Sequence, residues 1–208
     1  MADYCTVAEV KADIPESPLS SSTDYDAALA IMVTDASRLI DAAVGRWPNF
    51  FYASTADETR YYDGNGEQEL RIDECLSITT LSVAESAGVA STDYTDWATT
   101  DYYVHPYNYT ALSEPFRKLI VDVYNGSKAY FHPYRKAVKV AGVFGWSTTP
   151  PSEINRAAKI QCVRTLMRAK QGYQDAGANE AVGQMFYVKE LDPDVKTILQ
   201  KWAFFNGI

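Results

Sequence analysis

The feature that most constrains the fold is a change of hydrophobic periodicity that occurs twice along the chain. Over Tyr25–Val44, apolar residues recur every three or four positions, as on one face of an α-helix. From about Glu58 to Trp146 this pattern gives way to short runs of aromatic and β-branched residues, which favour strands. The helical pattern returns over Ile154–Gln171. The sequence therefore predicts an α+β protein, a small helical bundle with an inserted antiparallel β module.

The first two helices carry recognisable end signals. Thr6-Val7-Ala8-Glu9 fits a capping box, and the short helix that it starts must end before Pro15. Thr23 or Asp24 is expected to cap the second helix, and Gly45 to end it. The predicted buried face of this second helix consists of Tyr25, Leu29, Met32, Ala36, Leu39 and Ala43.

The β module is predicted to hold five or six strands, mostly antiparallel. Asp63-Gly64-Asn65-Gly66 supplies residues that tolerate positive φ, which predicts a hairpin turn between the first two strands. Ala87–Thr100 is rich in small and polar residues and is predicted to be a surface loop. The predicted strands are Thr59–Tyr62, Glu69–Ile72, Ser77–Val83, Tyr102–His105, Leu119–Tyr124 and Lys136–Phe144.

The C-terminal part is predicted to be helical again. The helix over Ile154–Gln171 is expected to stop at Gly172 and to be followed by a link over Ala176–Gly183. Asp192-Pro193-Asp194 is typical of a helix start and predicts a last helix with Val195, Ile198, Leu199 and Trp202 as its apolar stripe. The expected parts are an N-terminal helical part (1–57), a β-rich insertion (58–146), a helix completing the bundle (147–175), and a linker with a C-terminal helix (176–208).

Composition excludes several classes of protein. The net charge of −8 argues against a nucleic-acid-binding groove, which needs a basic surface. No apolar run approaches the ~18 residues of a membrane span. The N-terminus lacks the basic and apolar regions of a signal peptide, which predicts synthesis in a cytoplasm. Cys5, Cys75 and Cys162 have no metal-like spacing and are expected to be reduced, apolar core residues.

One segment resembles a calcium-binding loop. Asp63, Asn65 and Glu74 fall at the first, third and twelfth positions of such a loop. Gln68, however, stands where the loop needs glycine, and strand-like sequence flanks the segment. A plain hairpin turn is the favoured interpretation, and we predict no metal and no cofactor.

The sequence offers no complete catalytic constellation. His105 and His132, the two histidines, each precede proline and have no nucleophile or carboxylate that the sequence can place beside them. Gly142-Val143-Phe144-Gly145 lacks the lysine and spacing of a phosphate loop. We therefore expect no catalytic residues and a protein that is not an enzyme.

Two features suggest an interface instead. The helix over Ile154–Gln171 is basic in an acidic protein, so that it could face an acidic neighbour or could carry only solvated side chains. The aromatic C-terminal segment could dock on a partner or pack on its own domain. The candidate residues for an interface, with further copies of the chain or with another protein, are Arg156, Arg164, Arg168, Trp202, Phe204 and Phe205.

Three motifs resemble those of one protein family. They are Ser37-Arg38-Leu39-Ile40-Asp41 with Gly45-Arg46, the Thr59–Gly66 stretch, and Gly145-Trp146-Ser147 followed by Pro151 and the helix at Ile154–Ala169. Together they resemble the head–tail connector (adaptor, or head-completion) family of tailed bacteriophages. The resemblance implies a dodecameric ring on the portal protein that retains and passes DNA.

From this resemblance we expect a structural virion protein at the head–tail junction. Its partners would be further copies of itself, the portal protein, a tail or stopper protein, and DNA that passes without sequence-specific binding. A ring of about twelve such chains would carry a charge on the order of −100 and repel DNA from its lumen, although −8 also suits any soluble domain. The alternative is a monomeric binding module that uses the Tyr- and Trp-rich β insertion to recognise a carbohydrate or a protein.

Overall fold

The computed structural model describes residues 3–14, 22–53, 55–86, 93–170, 176–179, 184–187 and 191–203. The chain divides into two compact units, a helical unit (residues 1–49 and 150–208) and a β unit (residues 50–149). In chain order the elements are α1 (Val7–Ala12), α2 (Asp26–Val44), β1 (Glu58–Tyr62), β2 (Glu69–Ala84), β3 (Tyr94–Asp96), β4 (Tyr102–His105), α3 (Tyr109–Leu112), β5 (Phe116–Val121), β6 (Val138–Phe144), α4 (Ser152–Lys170), β7 (Ala176–Asn179), β8 (Gln184–Tyr187) and α5 (Pro193–Gln200). The fold is α+β, as the sequence predicts.

The helix ends follow the local signals in most places. The capping box of α1 is formed, with the Glu9 amide donating to Thr6 Oγ1 at 3.2 Å and the Thr6 amide donating to Glu9 Oε2 at 2.7 Å. Gly45 ends α2 in the left-handed conformation at φ +71°. The predicted cap of α2 is wrong, because the N-cap is Tyr25 and makes no side-chain capping bond. Nearby, Ser22 Oγ accepts from the Asp24 amide instead.

The buried face of α2 differs from the predicted one. Leu29 and Ala36 are buried as expected, whereas Tyr25 and Ala43 are exposed. The face is rotated because two polar residues, Ser37 and Asp41, are buried and hydrogen-bonded. The buried residues of α2 are Leu29, Val33, Ala36, Ser37, Ile40, Asp41 and Val44.

The β unit contains a six-stranded antiparallel sheet in the order β1-β6-β2-β5-β4, with β3 paired to the far end of β2. The predicted hairpin between β1 and β2 is wrong, because β6 lies between them. The Asp63–Gly66 segment instead bonds to a distant loop. The Gly64 amide donates to Tyr134 O and the Gly66 amide to Phe131 O, both at 2.9 Å.

Strand β2 is longer than the sequence predicts. It runs through both predicted strands as one bent strand, with register shifts between Arg71 and Cys75 and again around Ser77 and Thr80. The predicted loop over Ala87–Thr100 holds strand β3 and a buried Trp97, whereas residues 87–92 lie outside the described part of the chain. Strand β5 starts at Phe116, three residues before the predicted start.

In the C-terminal part the predicted last helix is present, whereas the predicted link contains a strand. The Asp192 side chain caps α5 by accepting from the Asp194 amide at 2.9 Å, as predicted. The predicted link over Ala176–Gly183 contains β7, which pairs antiparallel with β8 directly after the link. No helix among the described residues is both long and apolar enough to cross a membrane.

Candidate assembly and binding surfaces

The Ser37–Asp41 motif forms a buried polar network within the helical unit. The Tyr4 amide donates to Ser37 Oγ at 3.0 Å, and the Tyr4 hydroxyl donates to Asp41 Oδ1. The second Asp41 oxygen accepts from the Asn49 amide at 3.0 Å. Asn155 Nδ2 on α4 donates to Tyr4 O at 2.9 Å. This motif therefore ties together the N-terminal segment, α2, α4 and the turn after α2.

The Gly145–Ser147 motif closes the β unit on itself. The Trp146 amide donates to Phe50 O at 2.8 Å, and the Ala53 amide donates to Ser147 O at 2.9 Å. Gly145 has φ +134°, and a Cβ there would lie 2.8 Å from Ala53 Cβ. The glycine is needed for this close approach.

The Thr59–Gly66 motif anchors the edge strand β1. Arg60 Nη1 lies 2.9 Å from Asp73 Oδ2, and its guanidinium carbon lies 4.3 Å from the centre of the Phe144 ring. The Tyr62 hydroxyl donates to the same Asp73 oxygen at 3.0 Å. Burial and the adjacent Asp73 carboxylate raise the pKa of the Tyr62 phenol. All three motifs that carry the resemblance thus have structural roles within their own unit.

The basic side chains of α4 are largely engaged inside the helical unit. Arg164 Nη1 lies 2.7 Å from Asp192 Oδ2, and Lys159 Nζ lies 2.9 Å from Asp13 Oδ2. Arg168 is half-buried, whereas Arg156 is exposed. Of these four side chains, Arg156 is the most available to a neighbouring molecule.

The C-terminal helix packs on its own unit. Val195 and Leu199 are buried, and Trp202 Nε1 donates to Glu153 Oε2 at 3.3 Å. Lys201 Nζ lies 2.8 Å from the same carboxylate. Phe204 and Phe205 lie outside the described residues.

The outward face of α2 carries a large apolar side chain, Ile31, that hydrophobic periodicity does not indicate, beside the exposed Asp35 and the half-buried Arg38. Ile31 is 64% exposed. Ala27 and Ala42, on the side of the helix that faces away from its buried residues, are exposed as well. Ala28 and Leu39 on this side are half-buried.

The β unit displays exposed aromatic side chains and a cavity. Tyr103 is 44% exposed and its ring lies 6.3 Å from that of Tyr107, while Tyr124 is 94% exposed. A cavity of about 410 Å³ opens beside β2 and β4. None of the residues that line it carries a charged side chain. This uncharged lining argues against phosphate or metal as its ligand.

The candidate catalytic and metal groups are not brought together. His105 lies against the Tyr107 ring at 5.2 Å, and His132 stacks on the Tyr134 ring at 5.9 Å. Within the parts of the chain that the structure describes, no three His, Cys, Asp or Glu residues could jointly hold a metal ion. Glu74, the last residue of the calcium-like segment, lies inside strand β2 and is buried.

The thiols are buried. Cys5, Cys75 and Cys162 are free cysteines, and burial raises the pKa of Cys75 to about 12. A thiol in this condition stays protonated at neutral pH and is a poor nucleophile.

The sequence matches no model of a known protein family and no curated protein.

Proposed function

We propose that this chain is a ring-forming structural protein of a virion, an adaptor that joins the portal to the tail and lines the DNA exit channel. The observation that carries the proposal is Ile31, a large apolar side chain that is 64% exposed on the outward face of α2, where Asp35 and Arg38 lie beside it. An exposed large apolar side chain on a long helix is what a neighbouring copy would cover in an assembly. The three motifs that resemble the connector family support the head–tail junction of a virion as the place of this assembly.

The proposed mechanism is geometric and electrostatic. Copies would pack through α2, with the exposed Arg156 on α4 available to an acidic neighbour. The net charge of −8 per chain would accumulate around a ring and repel the phosphates of the passing DNA. This role requires no catalytic group, cofactor or metal.

Native mass spectrometry tests the proposal, first on the chain alone and then on the chain mixed with its candidate portal protein. We expect a closed ring of about twelve copies in at least one sample. Ile31→Glu should dissociate the ring, because it places a charge in an apolar interface. Leu112→Glu, at a residue that is 57% exposed in the β unit, is the matched control and should leave the ring intact. A strict monomer in both samples would overturn the proposal.

The aromatic surface of the β unit favours a second candidate, a monomeric binding module. Tyr103, Tyr107 and Tyr124 are exposed there, and aromatic side chains are common anchors in recognition surfaces. This candidate predicts a monomer that keeps its ligand affinity when Ile31 is replaced, so the same variant separates the two functions.

A further inference from the structure

The cavity of the β unit is lined in part by two strands that each have an unpaired edge, β2 and β4. Three consecutive residues of β2 (Leu76–Ile78) and three consecutive residues of β4 (Tyr102–Val104) line it. Consecutive strand residues point to opposite faces of a sheet. Three in a row can border one cavity where the cavity runs along the edge of the strand, and in β2 the register shifts between Cys75 and Ser77 and between Ile78 and Thr80 also interrupt this alternation.

The pairing of the sheet shows why these edges are open. On one side β2 is paired to β6 over Cys75–Val83. On its other side β5 pairs with residues 69–75 and β3 with residues 82–84. Among the described strands, none pairs with residues 76–80 on that second side, whereas the Trp97 amide after β3 donates to Leu81 O at 2.8 Å. Strand β4 pairs with β5 on one side and with no other described strand.

The walls of the cavity are mostly apolar. The apolar lining residues are Leu76 and Ile78 on β2, Val104 on β4, Tyr109 of α3 and Phe116 at the start of β5. The Tyr109 and Phe116 rings pack edge to face at 5.3 Å, which holds this wall in place. Ser77 and Thr99 add uncharged hydroxyl groups.

We infer that this cavity binds an extended, uncharged polypeptide segment supplied by another chain. Open strand edges present N–H and C=O groups at the spacing of a strand, and an added strand satisfies them. The apolar walls would receive alternate side chains of that segment, and the lack of charge excludes an acidic or basic peptide as the best occupant. The inference concerns the β unit alone and holds whether or not the chain forms a ring.

The test is a selection from a displayed random dodecapeptide library on the full chain. Binders of the Thr99→Arg variant are removed first, because an arginine there would fill the cavity with a charged side chain. Thr99 is exposed in a loop, so the fold should tolerate this change. Thr100→Arg is the matched control, since Thr100 is the exposed neighbour and does not line the cavity. Ser77→Arg, at an exposed lining residue on β2, is a second blocking variant.

We expect enriched peptides with uncharged β-branched or aromatic residues at alternate positions. A synthetic peptide of the enriched sequence should bind about tenfold more weakly to Thr99→Arg and Ser77→Arg, and equally to Thr100→Arg. Methylating the amide nitrogens at alternate positions should also weaken binding about tenfold, because these amides would donate to the strand edge. Amide hydrogen exchange at residues 76–78 and 102–104 should slow when the peptide binds.

Three results would overturn the inference. One is the absence of any sequence enriched on the wild type over Thr99→Arg. Another is peptide binding that survives methylation of every amide in turn, which would exclude strand pairing. The third is specific binding on a glycan array that Thr99→Arg abolishes without any peptide enrichment, which would assign the cavity to a carbohydrate.

Discussion

The Tyr4 hydroxyl donates a hydrogen bond to Oδ1 of Asp41, 37 residues further along the chain. Both residues are almost completely buried, Tyr4 at 1% and Asp41 at 2% exposure. A buried carboxylate must be compensated by hydrogen bonds, and this bond joins the N-terminal segment to α2.

Tyr4→Phe should destabilise the helical unit by about 1–3 kcal/mol, because it leaves a buried carboxylate oxygen without this donor. Chemical denaturation followed by helical circular dichroism measures the change. Tyr25→Phe is the control, since Tyr25 is 42% exposed, and it should have almost no effect. Equal stability of the two variants would show that the Tyr4–Asp41 bond is not structural.

Gly145→Ala should destabilise the β unit by about 1–3 kcal/mol. The backbone there has φ +134°, and the new Cβ would meet Ala53 Cβ at 2.8 Å. Gly45→Ala also changes a left-handed glycine, at φ +71°, but has open space around it and should cost only about 1 kcal/mol. Thermal unfolding compares the two variants, and a larger loss for Gly45→Ala would contradict the close-packing argument.

The pKa of the Asp122 carboxyl group should lie well below that of an ordinary aspartate. Hydrogen bonds from the Tyr103 hydroxyl, the Asn125 side chain and the backbone lower its pKa from 3.8 to about 2. Because the pKa is lower in the folded state, ionised Asp122 stabilises the fold above its unfolded-state pKa. That contribution is lost as the pH falls from about 4 to about 2.

Tyr103→Phe should raise the pKa of Asp122 towards 3.8, as measured by NMR titration of its carboxyl carbon. Tyr107→Phe, at the neighbouring ring, should leave that pKa unchanged. A titration of Asp122 that is the same in both variants would exclude the Tyr103 hydroxyl as the main cause.

Asp192→Ala should lower the stability of α5 by about 0.5–2 kcal/mol, because it removes both the N-cap of the helix and the partner of Arg164. Amide hydrogen exchange over Val195–Leu199 should speed up. Asp194→Ala removes an exposed acid from the same turn and should have a smaller effect. Equal exchange rates in the two variants would show that the cap does not hold α5.

The three thiols should resist labelling in the native protein. Burial raises the pKa of Cys75 to about 12, and Cys5 and Cys162 are also buried. A thiol reagent at pH 8 should label none of them until denaturant is added, and then all three. Rapid labelling of the native chain would contradict their burial.

Local signals in the sequence predicted several helix ends, although not the N-cap of α2. The Thr6–Glu9 capping box, the left-handed Gly45 and the Asp192 cap were all predicted, because each depends on residues within a few positions of one another. The segments with strand-like composition were found for the same reason. The α+β character therefore follows from the sequence alone, whereas α3, β3, β7 and β8 were not predicted.

The pairing of these elements required the tertiary structure. The Asp63–Gly66 turn chemistry predicted a hairpin, yet β6, about 80 residues further on, pairs with β1 instead. The burial of Ser37 and Asp41 depends on Tyr4, and the lining of the β-unit cavity comes from β2, β4, α3 and β5. Hydrophobic periodicity records which side of an element is apolar, but it carries no information on which distant backbone edge or hydroxyl will satisfy a polar group. These partners are determined only by the tertiary packing of the chain.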